Sequence, residues 1–514
     1  SGARITHTGA TTLDAGTLSL AGTTAFNSPI ILNGGSLRTI ATANYVMLPK
    51  TISGDSTGGK LEITGAAYQT YMTADNTYTG GTLVSGNLCL GNNTAAGSVL
   101  GAITDNGQLS LYRSGAYIFT NTVTGSGSLV VYNNNIVASP SITLGADLFG
   151  YGGVVSNATA SFTGSLYLNA SGLNVKSGSL SFSGNLWAGG ARGALTISGG
   201  SLTIAGCLYN QWDGGINLVQ SGGTLSIAGI GYQYWAGGWC STSYGPNEPR
   251  DIYTLTGGTL VLSGNIVHSS PNYYAPSLNL GGGVIVAAGD IGIAANTTLT
   301  GTGGNVTIDT AGHTVTFYYP LTGSGGLIKM GEGTLALAGA NTYTGLTTVN
   351  GGRLLVSGSL PNTAAVLLGP GAFLDLNGVT RTLGSVGGSG IVTNGTLALS
   401  GISRPATNAV ATITFGNLVL SEGAVIDWGF TETTSDLIRI TGSLTLPTNA
   451  TVNATALGGL RTTSAVLLDY SGATFNGPAN LNSWTTTGGF RVELDAPNER
   501  VLLVPREGPL YLTM

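Results

Sequence analysis

The sequence predicts an all-β solenoid, and three observations carry that prediction. Glycine supplies 85 of the 514 residues, more than twice its usual share of roughly 7%. Charged residues make up 8% where about 25% is ordinary, yet 42% of the chain is hydrophobic and its mean hydropathy is +0.28. A short phrase recurs: two small residues, then Thr or Ser, Leu, any residue and an aliphatic one. This composition excludes a solvated disordered tail, which needs low hydrophobicity and high net charge. It excludes collagen too, since there are only 16 prolines and no glycine at every third position. No run approaches the ~18 apolar residues of a membrane-spanning helix, so no membrane insertion is expected.

The phrase appears as Gly34-Gly35-Ser36-Leu37, Gly58-Gly59-Lys60-Leu61 and Gly80-Gly81-Thr82-Leu83. Cleaner copies are Gly199-Gly200-Ser201-Leu202-Thr203-Ile204, Gly222-Gly223-Thr224-Leu225-Ser226-Ile227 and Gly257-Gly258-Thr259-Leu260-Val261-Leu262, followed by Gly282-Gly283-Val284-Ile285-Val286. Within these two runs the first glycines are spaced by 24, 22, 23, 35 and 25 residues. A period in the low twenties, with one interval lengthened, is the pattern of stacked β-coils.

One unit shows the physics. In Thr334-Leu335-Ala336-Leu337 the side chains alternate at period two, which sends Leu335 and Leu337 to one face and the small residues to the other. So short a strand is not stable alone. Stacked in register, its leucines extend an apolar column and its N–H and C=O groups pair with the turns on either side. The glycines belong at corners, where positive φ or close backbone approach is needed. Thr and Ser on the outer face favour extended backbone and keep it wet without charge. The solenoid is expected over residues 1–405, with an aromatic insertion at 230–252. Residues 406–514 read as a C-terminal β region, either a cap or a less regular continuation.

The stretch from Gly323-Ser324-Gly325-Gly326-Leu327 through Gly333-Thr334-Leu335-Ala336-Leu337 and Asn341-Thr342-Tyr343-Thr344-Gly345 to Gly351-Gly352-Arg353-Leu354 closely resembles the autotransporter-associated β-strand repeat. A degenerate second copy is Asp75-Asn76-Thr77-Tyr78-Thr79-Gly80-Gly81-Thr82. That family occurs in large secreted and surface passenger proteins of bacteria. The resemblance implies a right-handed parallel β-helix and an exported, extracellular or cell-surface location. It supplies no catalytic residues. No alternating long strands of a membrane barrel follow, and the chain opens at Ser1-Gly2-Ala3-Arg4 without a targeting segment. Such a segment has been removed, or the chain is a fragment.

Chemistry-bearing residues are sparse. Lys and Arg total 17 against 22 Asp and Glu, with no basic stripe, so nucleic acid is not an expected partner. The aspartates are isolated, although Asp290 and Asp309 lie about one coil apart and could stack; His7, His268 and His313 are scattered. No nucleophile elbow, phosphate loop, zinc motif or calcium nonapeptide appears. The reading is therefore no enzyme, no cofactor and no metal. The cysteines are Cys89, Cys207 and Cys240; either Cys207 and Cys240 are bridged or all three are half-buried thiols.

Aromatic residues stand out. Four of six tryptophans, Trp187, Trp212, Trp235 and Trp239, fall within about fifty residues, and the insertion adds Tyr232, Tyr234 and Tyr244. Trp212, Tyr232, Tyr234, Trp235, Trp239 and Tyr244 are the candidate contacts for another subunit or a glycan, since Trp and Tyr dominate contact hot spots; packing of the insertion on itself is the alternative. Pro505 and Pro509 leave Leu510, Tyr511 and Leu512 as a detached apolar end, the candidate assembly strand. Because an open solenoid end templates further strands, the expected function is a structural building block of a cell-surface fibre or stalk, joined head to tail to copies of itself. The alternative is a polysaccharide-binding or, less readily, polysaccharide-cleaving adhesin-like passenger.

Overall fold

The structure, a computed structural model, describes residues 9–21, 25–42, 45–54, 59–115, 117–132, 135–137, 141–169, 171–189, 193–211, 216–230, 252–266, 276–403, 409–459 and 461–506. Among these, strands account for all regular structure except one turn of 3-10 helix at Ala496–Asn498. The chain divides into two compact units, Ser1–Val261 with Asn265–Pro276, and Leu262–Gly264 with Ser277–Met514.

The first unit is a parallel β-solenoid. Strand Leu148–Tyr151 pairs with Leu166–Leu168, which pairs with Leu186–Gly189, which pairs with Ser201–Gln211, all parallel and in register. The inward positions of this row form the anticipated leucine column: Leu88, Leu109, Leu129, Leu148, Leu166, Leu186 and Leu208 face one another rung by rung. None is more than 2% exposed, and each contributes about 1.5–3 kcal/mol by leaving water. A second row carries Ile103, Val123 and Ile142 inward, continued by Leu180, Leu202 and Leu225. Its outward neighbours Thr104, Thr124, Thr143, Ser161, Ser181, Thr203 and Ser226 stand in register, which is how the unit covers its outside without charge. A third row runs from Ile118–Phe119 through Gly153–Val155 and Gly193–Ile197 to Ile252–Leu255.

The glycines of the recurring phrase sit where a side chain does not fit. A Cβ on Gly80 would lie 1.7 Å from the Gly59 carbonyl oxygen. Gly200 and Gly223 take φ of 68° and 62°, the left-handed region that disfavours other residues. Polar side chains at the corners pass hydrogen bonds from rung to rung: Asp147 Oδ1 accepts from the Ser165 N–H, Ser165 Oγ from the Asn185 N–H, and Asn185 Oδ1 from the Cys207 N–H.

The second unit has the same construction. Val306–Asp309 pairs with Leu327–Met330, then Thr347–Val349, then Ala365–Leu368. Leu335 and Leu337 are fully buried as the alternation requires. Parallel pairing continues through the long strands Phe373–Gly388, Ile391–Ser403 and Thr412–Thr431, and on to Leu437–Thr445 and Ala450–Gly458. The pattern then changes sense. Arg500–Pro505 lies antiparallel both to Ala465–Asp469 and to Phe490–Asp495. Trp428 is buried beside this hairpin, stacked near Phe430 and edge-on to Phe490, with its Nε1–H donated to the Asp436 carbonyl at 2.7 Å.

Candidate functional site

Trp212, Tyr232, Tyr234, Trp235, Trp239 and Tyr244 lie outside the described residues, as do Leu510, Tyr511 and Leu512. Trp187 is described, and it belongs to an aromatic surface that sequence reasoning missed. In Leu166-Tyr167-Leu168 and Leu186-Trp187-Ala188 the flanking side chains point inward, so the ring between them points out. Register then sets ring over ring: Phe149 opposite Tyr167, Tyr167 opposite Trp187, Trp187 opposite Tyr209.

The ring centroids are 4.9 Å apart for Phe149 and Tyr167, 6.2 Å for Tyr167 and Trp187, and 4.8 Å for Trp187 and Tyr209. Two positions along the strand a parallel column runs from Tyr112 to Tyr132 at 4.9 Å and Tyr132 to Tyr151 at 5.0 Å. Phe149 and Tyr151, 6.5 Å apart, join the two. Seven rings thus form one connected ladder on the outside of the first unit. At such separations each pair contributes about 0.5–1.5 kcal/mol beyond burial alone.

The chemistry of this surface is limited. Burial holds the Tyr132 and Tyr167 phenols above their ordinary value, so they stay protonated near neutrality. Cys89 lies in register with Tyr71 and Ser110, in the column that continues through Val130 to Phe149, and burial pushes its thiol up to about 12, far from the thiolate a nucleophile needs. Near-parallel stacking, 16° between Phe149 and Tyr167 and 13° between Tyr132 and Tyr151, turns the ring faces toward one another. A sugar platform needs an open face; here the ladder uses its faces on itself. The signal was present in the sequence as an aromatic residue beside an inward aliphatic one, at 149, 167, 187 and 209 and again at 112 and 132, with Tyr151 between two glycines.

Other candidate groups are dispersed. Asp290 and Asp309 do not stack: Asp309 stands in register with Val286 and Met330, because the strand holding Asp309 is preceded on its row by Val284–Ala287. Asp290 instead accepts from the Thr314 N–H at 2.8 Å and lies 3.8 Å from His313 Nδ1, both side chains exposed. His7 and His268 lie outside the described residues. Cys207 is disulfide-bonded and Cys89 is free, so the reading of three thiols does not hold; Cys240 is outside the described residues.

Among the described residues four acidic or basic side chains are buried, Asp105, Lys329, Asp375 and Asp436, and the two that are wholly so serve the scaffold. Lys329 is 0% exposed, and its Nζ donates to Thr310 Oγ1 and to the carbonyls of Met330, Gly331 and Gly351 at 2.6–3.0 Å. Asp105, also 0% exposed, accepts from the Gly107 N–H through Oδ1 while its Oδ2 has no partner.

A buried polar corner recurs in both units. In the first, Asn76 Oδ1 accepts from the Ile52 N–H, its Nδ2 donates to the Ala74 and Ser98 carbonyls, and Tyr78 bonds Thr82. In the second, Asn341 Oδ1 accepts from the Leu321 N–H, its Nδ2 donates to the Gly339 and Ser359 carbonyls, and Tyr343 bonds Thr347.

These corners fall within the matches to known proteins. The passenger-associated-transport-repeat family model matches residues 6–20, 69–86 and 327–356. The adhesin autotransporter BmaC of Brucella suis biovar 1 (strain 1330) is 29% identical over 450 residues, covering 75% of this chain and 12% of that protein. The chain thus spans about an eighth of the length of this curated relative. No solved structure matches it.

Proposed function

We propose that the chain is a structural segment of an adhesin-like surface passenger, exported to the cell surface or beyond; its passenger-associated repeats and its likeness to an autotransporter adhesin support this reading. Its role is mechanical: it forms part of a stalk or fibre and performs no chemistry of its own. The observation that carries this reading is the aromatic ladder. Seven outward rings are spent on one another rung by rung, which stiffens the solenoid and occupies ring faces that a substrate would otherwise stack on. The charge-poor outside, built from Thr and Ser in register, suits a surface that persists in variable salt, since it does not depend on screened ion pairs.

Single-molecule pulling tests this. A structural segment resists force along the rungs and unfolds in steps of whole turns; a chain that extends smoothly at low force overturns the proposal.

The finer part of the proposal is assembly of such segments end to end, favoured by parallel strands whose unpaired edges template further strands. Electron microscopy of the concentrated chain is its test. Linear strings support it, and discrete particles at every concentration remove it without touching the mechanical role. A polysaccharide-binding reading would require an exposed ring face, and a glycan array on the whole chain would detect it.

A further inference from the structure

The second unit holds a cavity of about 210 Å³ between the segment after Arg353–Leu355 and the strand Phe373–Gly388. Its floor is apolar: Val356, Leu360, Leu374, Leu376 and Leu383 line it and are at most 6% exposed. Ser359, Asn362, Thr380 and Thr382 form the polar part of the lining. The one charged side chain in the wall is Arg381. Its Nη2 donates to the Val356 carbonyl at 3.0 Å and to the Ser357 carbonyl at 3.3 Å, while its Nε is buried without a partner. Among the described residues no carboxylate pairs with this guanidinium. Burial lowers its pKa, the sign of a cation held partly away from water without a counter-charge.

We propose that this cavity binds a small aliphatic carboxylate, with its hydrocarbon against the leucines and its charge on the Arg381 guanidinium. Three properties specify that class. The cation wants an anion, and arginine matches the planar carboxylate. The leucine floor rewards an apolar body, which an inorganic anion lacks. The volume lies below the roughly 300–1,000 Å³ of pockets for drug-sized ligands, so the ligand is short. The binding is non-covalent and independent of the mechanical role proposed above.

Isothermal titration of the whole chain with ethanoate, butanoate and butan-1-ol reads this directly. Butanoate is expected to bind saturably, and tighter than ethanoate by about fourfold per added methylene, the equivalent of ~0.8 kcal/mol each. Butan-1-ol, which keeps the chain and drops the charge, is expected to bind at least tenfold more weakly than butanoate. Arg381→Gln should abolish the preference for the acid. Leu360→Phe, which fills the cavity and leaves the arginine, should abolish binding while the chain stays folded by circular dichroism. Absence of saturable binding at millimolar butanoate, or butanoate binding unchanged in Leu360→Phe, overturns the proposal. Should Arg381→Gln fail to fold, Leu360→Phe and the alcohol decide it.

Discussion

The phenolic hydroxyl of Tyr343 and the hydroxyl of Thr347 share a hydrogen bond of 2.6 Å in the interior of the second unit. Tyr78 and Thr82 repeat it at 2.5 Å in the first. All four side chains are at most 3% exposed. Burial raises both phenols, Tyr343 to about 12, so each pair stays neutral at physiological pH. The tyrosine stands four positions before the threonine, and Asn341 and Asn76, two positions before each tyrosine, hold the backbone of neighbouring rungs. This corner of the repeat is thus a buried polar lock.

Tyr343→Phe leaves the Thr347 hydroxyl buried without its partner, and should destabilise the second unit by about 1–3 kcal/mol. Tyr343→Phe combined with Thr347→Val removes both polar groups and should recover part of that loss. Hydrogen exchange in residues 320–360, read as a double-mutant cycle, measures the coupling. Equal protection in Tyr343→Phe and the parent would show that the bond contributes nothing.

Lys329→Met should cost the second unit about 1–3 kcal/mol, because it removes the ammonium shared by the part-buried carbonyls of Met330, Gly331 and Gly351. Denaturant unfolding followed in that unit checks the figure. Lys329→Arg is no rescue, since the larger guanidinium meets fully packed surroundings.

Asp105 predicts a pH dependence in the first unit. Desolvation raises its carboxyl to about 6 from an ordinary 3.8, so between these values the folded chain holds a proton the unfolded chain has lost. Stability therefore falls as pH rises through that window and levels off above it. The difference amounts to about 3 kcal/mol at ~1.4 kcal/mol per pH unit. Asp105→Asn should flatten the profile from pH 4 to 7. Parallel pH profiles for parent and variant would refute the assignment.

Trp187→Ala removes two ladder contacts, with Tyr167 and Tyr209, and should cost roughly 1–3 kcal/mol beyond the area lost. Trp187→Phe should retain most of it. Thermal unfolding with exchange read in residues 165–210 distinguishes the two variants.

Much of this architecture was legible in the chain itself. Alternation in Leu166-Tyr167-Leu168 or Thr334-Leu335-Ala336-Leu337 determines which side chains go inward, because successive residues on a strand point to opposite faces. The paired glycines determine the corners, because glycine is favoured at the positive φ of Gly200 and Gly223 and a Cβ there would lie 2.6 and 2.5 Å from a carbonyl oxygen of the preceding rung. The period announces stacking, because so short a strand must borrow its neighbours' hydrogen bonds.

What the tertiary structure decided is who meets whom. Turn lengths vary, so the ladder residues recur at uneven spacings between 149 and 209, and only the pairing register puts Phe149, Tyr167, Trp187 and Tyr209 in one column. The same register separates Asp309 from Asp290 and gathers acceptors on Lys329 from three successive turns. Direction along a strand is local and is written in adjacent residues; neighbourhood across rungs depends on the summed length of every intervening loop, and that sum acquires meaning only when the backbone closes its hydrogen bonds.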